Sequence, residues 1–131
     1  MKLSDYQLKN KIILVTGANQ GIGKAASIRY ASLGAKVILL GRNLESLEQV
    51  YDEIIKLKYN EPMISLMDLE KADGNDYQAI HENLMNEFGK LDGLLLNASI
   101  LGDRSPIAHY DSETWVRTIH VNLTAQFLLV K

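Results

Sequence analysis

Four short apolar runs alternate with longer stretches in which apolar residues recur at helical spacing. The runs are residues 11–15, 36–40, 63–67 and 93–96. Each is short and apolar on successive positions, as expected of a strand covered on both faces in a parallel sheet. Between the first two runs, residues 22–33 read as a helix. Leu44, Leu47, Tyr51, Ile54 and Ile55 share one face of a second helix, and Tyr77, Ile80, Leu84 and Phe88 share one face of a third. Gly34 and Gly89 stand where the first and third helices should end. The alternation predicts an α/β fold, a doubly wound parallel sheet with right-handed crossovers and strand order 3-2-1-4. Strands 1 and 4 then flank a switch point, and ligands bind in the crevice beyond the carboxyl ends of such strands.

A last helix is predicted to start at Asp111 or Ser112, either of which can cap it. Val121, Leu123, Ala125, Phe127, Leu128, Leu129 and Val130 then crowd all its sides, which predicts burial all round. One face would pack on the sheet and the rest on another partner, so a homo-oligomer through this helix is expected. The sequence reaches Lys131 with no Gly, Asn or Pro to stop the helix, and so reads as ending in mid-helix. An isolated chain of this kind is expected to self-associate or to be partly disordered from about Asp103 onward.

The run from Thr16 to Gly23, TGANQGIG, joins the first strand to the first helix. Gly17, Gly21 and Gly23 let the backbone turn sharply and approach a phosphate without Cβ atoms in the way. The free N–H groups at the helix start, with the positive end of its dipole, then face an anion. Gly17 and Asn97 both follow strand ends at the switch point, so one crevice should hold both.

The three residues between Gly17 and Gly21, with Thr16 leading, resemble the TGxxxGIG motif of the short-chain dehydrogenase/reductase family. Further matches follow in order: Asp68-Leu69 after the third run, Asn97-Ala98 after the fourth and Asn122 in the last helix. The resemblance covers residues 11–131 and implies a Rossmann half-domain preceded by a polar arm, residues 1–10. It implies an oxidoreductase that transfers a hydride between a nicotinamide dinucleotide and a small carbonyl or alcohol substrate. Cofactor contacts are then expected from Gly17, Asn19, Gln20, Gly21, Ile22, Gly23, Arg42, Asp68, Leu69, Asn97 and Ala98. Asp68 would accept a hydrogen bond from the adenine amino group, or else cap the segment that follows it. Leu69 would contact the ring. Asn97 and Ala98 resemble the family's NNAG segment beside the ribose, with Leu96 and Ser99 in place of its first Asn and its Gly. Asn122 corresponds to the helix asparagine that organises a water in the family's proton relay; hydrogen bonding to neighbouring backbone is the alternative. Lys24 is either drawn to the phosphates or a surface lysine.

The end of the second strand bears on the choice of cofactor. An NAD site places a carboxylate there, whereas this chain has Gly41-Arg42-Asn43 and no carboxylate before Glu45. Gly41 would leave room for a 2′-phosphate and Arg42 would pair with it, unless Arg42 is simply solvated. A charge-assisted bond of this kind contributes about 1.5–3 kcal/mol, roughly ten- to a hundredfold. NADP(H) is therefore expected over NAD(H).

Composition narrows the alternatives. A net charge of −2 gives no basic face for nucleic acid or a membrane surface. No segment approaches the ~20 apolar residues of a membrane span, and residues 1–6 lack the apolar stretch of a secretory signal. A cytoplasmic protein is expected. With no cysteine and no ligand spacing among His81, His109 and His120, no metal site is expected. The family's chemistry needs a Tyr with a Lys four residues on, and none of Tyr6, Tyr30, Tyr51, Tyr59, Tyr77 and Tyr110 is followed so. The sequence predicts the cofactor-binding half of such an enzyme, inactive alone. The alternative is a non-catalytic dinucleotide-binding or interaction module.

Overall fold

A computed structural model describes residues 7–131; the greater part of the expected polar arm, residues 1–6, lies outside the described residues. The strands are β1 (Ile12–Thr16), β2 (Lys36–Gly41), β3 (Met63–Leu66) and β4 (Gly93–Leu95). The helices are α1 (Gly21–Ser32), α2 (Leu44–Lys56), α3 (Gly74–Phe88), α4 (Ser112–Ile119) and α5 (Ala125–Val130). All pairings are parallel and the order is β3-β2-β1-β4, as the sequence predicts. The register sets Thr16 beside Leu40 and Val15 beside Leu95, so the ends of β1, β2 and β4 open onto one crevice.

Alternate strand residues feed two cores. Ile13, Val15, Val37 and Leu39 face α1 and α2, while Ile12, Leu14, Ile38 and Leu40 face α3 and α5. Both central strands are buried almost throughout. The outer strands are not: β3 and β4 are only partly covered and Leu66 is exposed, because each has a strand neighbour on one side alone. They are also shorter than the apolar runs. Met67 and Leu96 leave the ladder where the chain turns into the crevice.

The helices pack by different means. In α2 the buried stripe is Leu47, Val50 and Ile54, each worth roughly 1.5–3 kcal/mol of burial. Leu44 and Ile55, expected on that face, lie at its exposed margins and Tyr51 is only partly buried. In α1 the buried stripe is Gly23, Ser27 and Ala31, small residues that bring the helix close to the sheet. The Ser27 hydroxyl is satisfied inside, donating to the Gly23 carbonyl at 2.7 Å. Gly89 ends α3 in the left-handed conformation, and Gly34, at φ +96°, follows the last turn of α1.

The last helical stretch departs most from expectation. Asp111 caps α4, its Oδ2 accepting from the Thr114 N–H at 2.7 Å. The helix then widens into a π turn, His120–Thr124, before α5. Val121 and Ala125 are buried against the core, but Leu123, Phe127 and Val130 are each more than 60% exposed. The sheet takes one face of this helix, and no other described element covers the opposite one.

Asp92 closes the sheet at the end opposite the crevice. Its carboxylate accepts from the Ile12 N–H at 2.8 Å and pairs with Lys90 at 2.9 Å and Lys11 at 3.3 Å. The Ile12 hydrogen bond, with the two lysines, lowers its pKa to about 2. A folded-state pKa below the unfolded value of about 3.9 gives stability that is present above that value and lost as pH falls through about 2. Asp92→Asn should therefore lower the urea midpoint at pH 7. The gap from the parent chain should narrow progressively between about pH 4 and pH 2, as read by urea titration at each pH; a constant gap would refute the assignment.

Candidate cofactor site

The crevice is a cavity of about 670 Å³ lined by the start of α1, the ends of β2 and β3 and the loop after β4. Along the sheet, Asp68 and Leu69 line it beyond β3, Arg42 beyond β2, Gly17, Asn19, Gln20, Gly21 and Ile22 beyond β1, and Asn97 and Ala98 beyond β4. Of the expected contacts, Gly23 alone does not line it, and the reason is packing. A Cβ on Gly23 would lie 2.0 Å from the Gly17 carbonyl oxygen and 2.6 Å from Asn97 Nδ2. Gly23 is where α1 passes over the loop at backbone distance. Gly17, at φ +62°, makes the turn itself.

The end of α1 that faces this cavity lacks a side-chain cap. Asn43, Asp73 and Asp111 cap α2, α3 and α4, but Gln20 makes no capping bond and the first turn of α1 carries no acidic residue. Its leading N–H groups and positive dipole end are therefore left for an anion. A dinucleotide pyrophosphate fits this cradle in both charge and space.

The loops are tied together by Thr16, which is fully buried. Its Oγ1 accepts from the Asn97 N–H at 3.0 Å and from the Ala98 N–H at 2.9 Å. Asn97 Nδ2 returns bonds to the Thr16 and Gly17 carbonyls at 3.2 and 3.3 Å. Asn19 Nδ2 donates to the Ser46 hydroxyl, which fastens the glycine loop to α2.

Asn122 is exposed at the π turn and clasps the backbone of Ile100: Oδ1 accepts from its N–H and Nδ2 donates to its carbonyl, both at 2.8 Å. The backbone alternative is thus what the geometry shows. Gln126, one turn on, was not singled out by the sequence reading. Its Nε2 donates to the carbonyls of Ala98 and Val121, both at 3.0 Å. Gln126, like Asn122, is a polar residue in a markedly apolar stretch, and that is the signal that could have found it. Asn122 in the π turn and Gln126 in α5 together hold both ends of the 98–100 segment.

Three expectations are modified. Lys24 pairs with Glu53 at 2.7 Å, a bridge from α1 to α2, and does not line the cavity. Gly41 lines the cavity, but a Cβ there would meet Leu47 Cδ2 at 3.2 Å, so its small size seats α2 rather than making room for a phosphate. Leu69 lines the cavity while being buried in the core that includes Tyr77. Asp68 serves its own turn: Oδ1 accepts from the Glu70 N–H at 3.0 Å, and Oδ2 has no partner among the described residues. Arg42 projects from the end of β2 and is 66% exposed. Among the described residues no group of His, Asp and Glu is placed to hold a metal, and no helix is long and apolar enough to cross a membrane.

This architecture, a parallel sheet with a glycine cradle at its switch point, defines a dinucleotide-binding domain. Comparison with known proteins gives the family: the family described as short chain dehydrogenase matches residues 11–131, and the chain belongs to it. It is 39% identical over 124 residues to the uncharacterized oxidoreductase YciK of Escherichia coli K12, covering 95% of this chain and 49% of that protein. A short chain dehydrogenase structure from Pseudomonas syringae is 45% identical with a TM-score of 0.92, over 94% of this chain and 51% of that one. Another, from Escherichia coli CFT073 in complex with NADPH, is 39% identical with a TM-score of 0.93, over 98% and 53%. The chain spans about half the length of the relatives it matches.

The two glycine positions should separate by experiment. Gly23→Ala forces a Cβ against backbone and should lower thermal stability by about 1–3 kcal/mol. Gly21→Ala has no atom within 4 Å of the new Cβ. It should cost only about 1–2 kcal/mol for the left-handed backbone, yet lose most dinucleotide affinity by crowding the cradle. Melting and cofactor titration of both variants check this; full affinity in Gly21→Ala would count against the cradle.

Proposed function

We propose that residues 11–131 are the NADP(H)-binding half of an oxidoreductase that moves a hydride between the nicotinamide and a carbonyl or alcohol substrate. The observation that carries this reading is the uncapped start of α1 facing a cavity that Arg42 also lines. Bound there, the cofactor supplies hydride chemistry at its nicotinamide C4. Gly17 and Gly21, with Asn19, Gln20 and Ile22 around them, take the pyrophosphate, and Gly23 lets α1 close over the loop that holds it. Asp68 accepts from adenine through its free Oδ2, while Leu69 packs beside the ring. Asn97 and Ala98 support the ribose on the nicotinamide side. Asn122 acts in support by fixing the loop at Ile100. The relative solved with NADPH is consistent with the phosphorylated cofactor.

Arg42 is the group proposed for the 2′-phosphate. Its exposure screens the pairing, so Arg42→Ala should lower the NADPH-over-NADH preference by about tenfold, the low end of a charge-assisted bond. Parallel fluorescence titrations with the two cofactors measure it, and an unchanged ratio would remove Arg42 from the site.

No Tyr-x-x-x-Lys pair occurs in the 131 residues, so this chain by itself is proposed to bind without turnover. NADPH oxidation by the purified chain with a panel of aldehydes and ketones tests this; sustained consumption would overturn it. The exposed Leu123, Phe127 and Val130 favour a second element of the reading, self-association through the last helix in a cytoplasmic protein. The same surface also fits a non-catalytic dinucleotide-binding module paired with another chain. A concentration-independent monomer in sedimentation would exclude self-association.

A further inference from the structure

Glu70 stands between two arginines. Its Oε2 lies 4.0 Å from Arg42 Nη1 and its Oε1 lies 3.6 Å from Arg117 Nε. Neither contact is a hydrogen bond within the usual distance, so the carboxylate acts on both guanidiniums through charge rather than by fixing their geometry. Glu70 lines the cofactor cavity beside Arg42; it also lines a separate hollow on α4 with Glu113, Val116 and Arg117. Arg117 lines only that second hollow. The turn that presents Glu70 is fixed by Asp68, whose side chain and carbonyl accept from the N–H groups of Glu70, Lys71 and Ala72. A negative charge is therefore held beside the one arginine at the adenosine end of the cavity, where a 2′-phosphate would have to approach.

We infer that Glu70 sets the strength of the 2′-phosphate site and that Arg117, outside the cavity, tunes that site through Glu70. The inference rests on the NADP(H) reading of Arg42. Glu70 offsets part of the Arg42 charge and repels an incoming phosphate. Arg117 shares the same carboxylate and so weakens its hold on Arg42. Both are specificity-determining through charge, and neither is a catalytic residue. The carboxylate is about one-third exposed, which keeps each effect modest: about two- to fivefold, as for partly exposed ion pairs.

The test is a double-mutant cycle read by NADPH and NADH titration of the chain. Glu70→Gln should raise the NADPH-to-NADH affinity ratio by about two- to fivefold and Arg117→Met should lower it by a similar factor. In the Glu70→Gln background, Arg117→Met should have no further effect, since its intermediary is gone. Both single effects should shrink as salt is raised. An unchanged ratio in Glu70→Gln, or an Arg117→Met effect that survives in the double variant, would overturn the inference. Arg42→Ala in the same series separates the two levels. If it abolishes the preference while Glu70→Gln is silent, only the tuning fails; if it leaves the preference intact, the reading of Arg42 fails first.

Discussion

The Thr16 hydroxyl holds the crevice together. It sits at the last position of β1, fully buried, and accepts the N–H groups of Asn97 and Ala98 just beyond β4. Those two donors lie where the ladder has ended; the Asn97 N–H also reaches the Leu95 carbonyl at 3.1 Å, whereas the Ala98 N–H is taken up by Thr16. Asn97 then reaches back to the carbonyls of Thr16 and Gly17. This closed set of bonds fixes the floor of the cavity against its glycine end. It also places Asn97 Nδ2 against Gly17 and Gly23, so the absence of Cβ atoms there is part of the same constraint. The dinucleotide cradle and the loop below it are one packed unit.

The sheet was readable because its central strands are apolar without interruption, and only a strand covered on both faces has that pattern. The edges were read as too long and too covered. Leu66 is as apolar as Leu39, but only one of them has neighbours on both sides. The helices show the same limit. Leu44 and Ile55 fit the helical period of α2, yet the stripe that is buried is Leu47, Val50 and Ile54. In α1 the contact stripe is Gly23, Ser27 and Ala31, which no count of large apolar residues would find.

At the site, the glycine run was legible because the chemistry needs specific residues at specific spacing. Residues that act through their neighbours were not. Gly41 is small for the sake of Leu47, Lys24 is held by Glu53, and Gln126 grips Ala98. Each depends on a partner distant in sequence, or on a π turn that no local pattern marked. The residue after Asp68 and Leu69 is another case. Glu70 reads as an ordinary surface carboxylate until β2, β3 and α4 bring Arg42 and Arg117 to it.

The open end of α1 gives the ligand a place in the fold itself. Three helices finish their first turns with their own side chains, and this one does not. Its leading N–H groups are open to a partner from outside the chain, which the proposed function makes the dinucleotide. Because only the folded protein presents that cradle, bound dinucleotide raises stability by mass action, by about 2.7 kcal/mol at a hundredfold excess over Kd. Under the proposed function, resistance to unfolding and proteolysis would then rise with the supply of the dinucleotide.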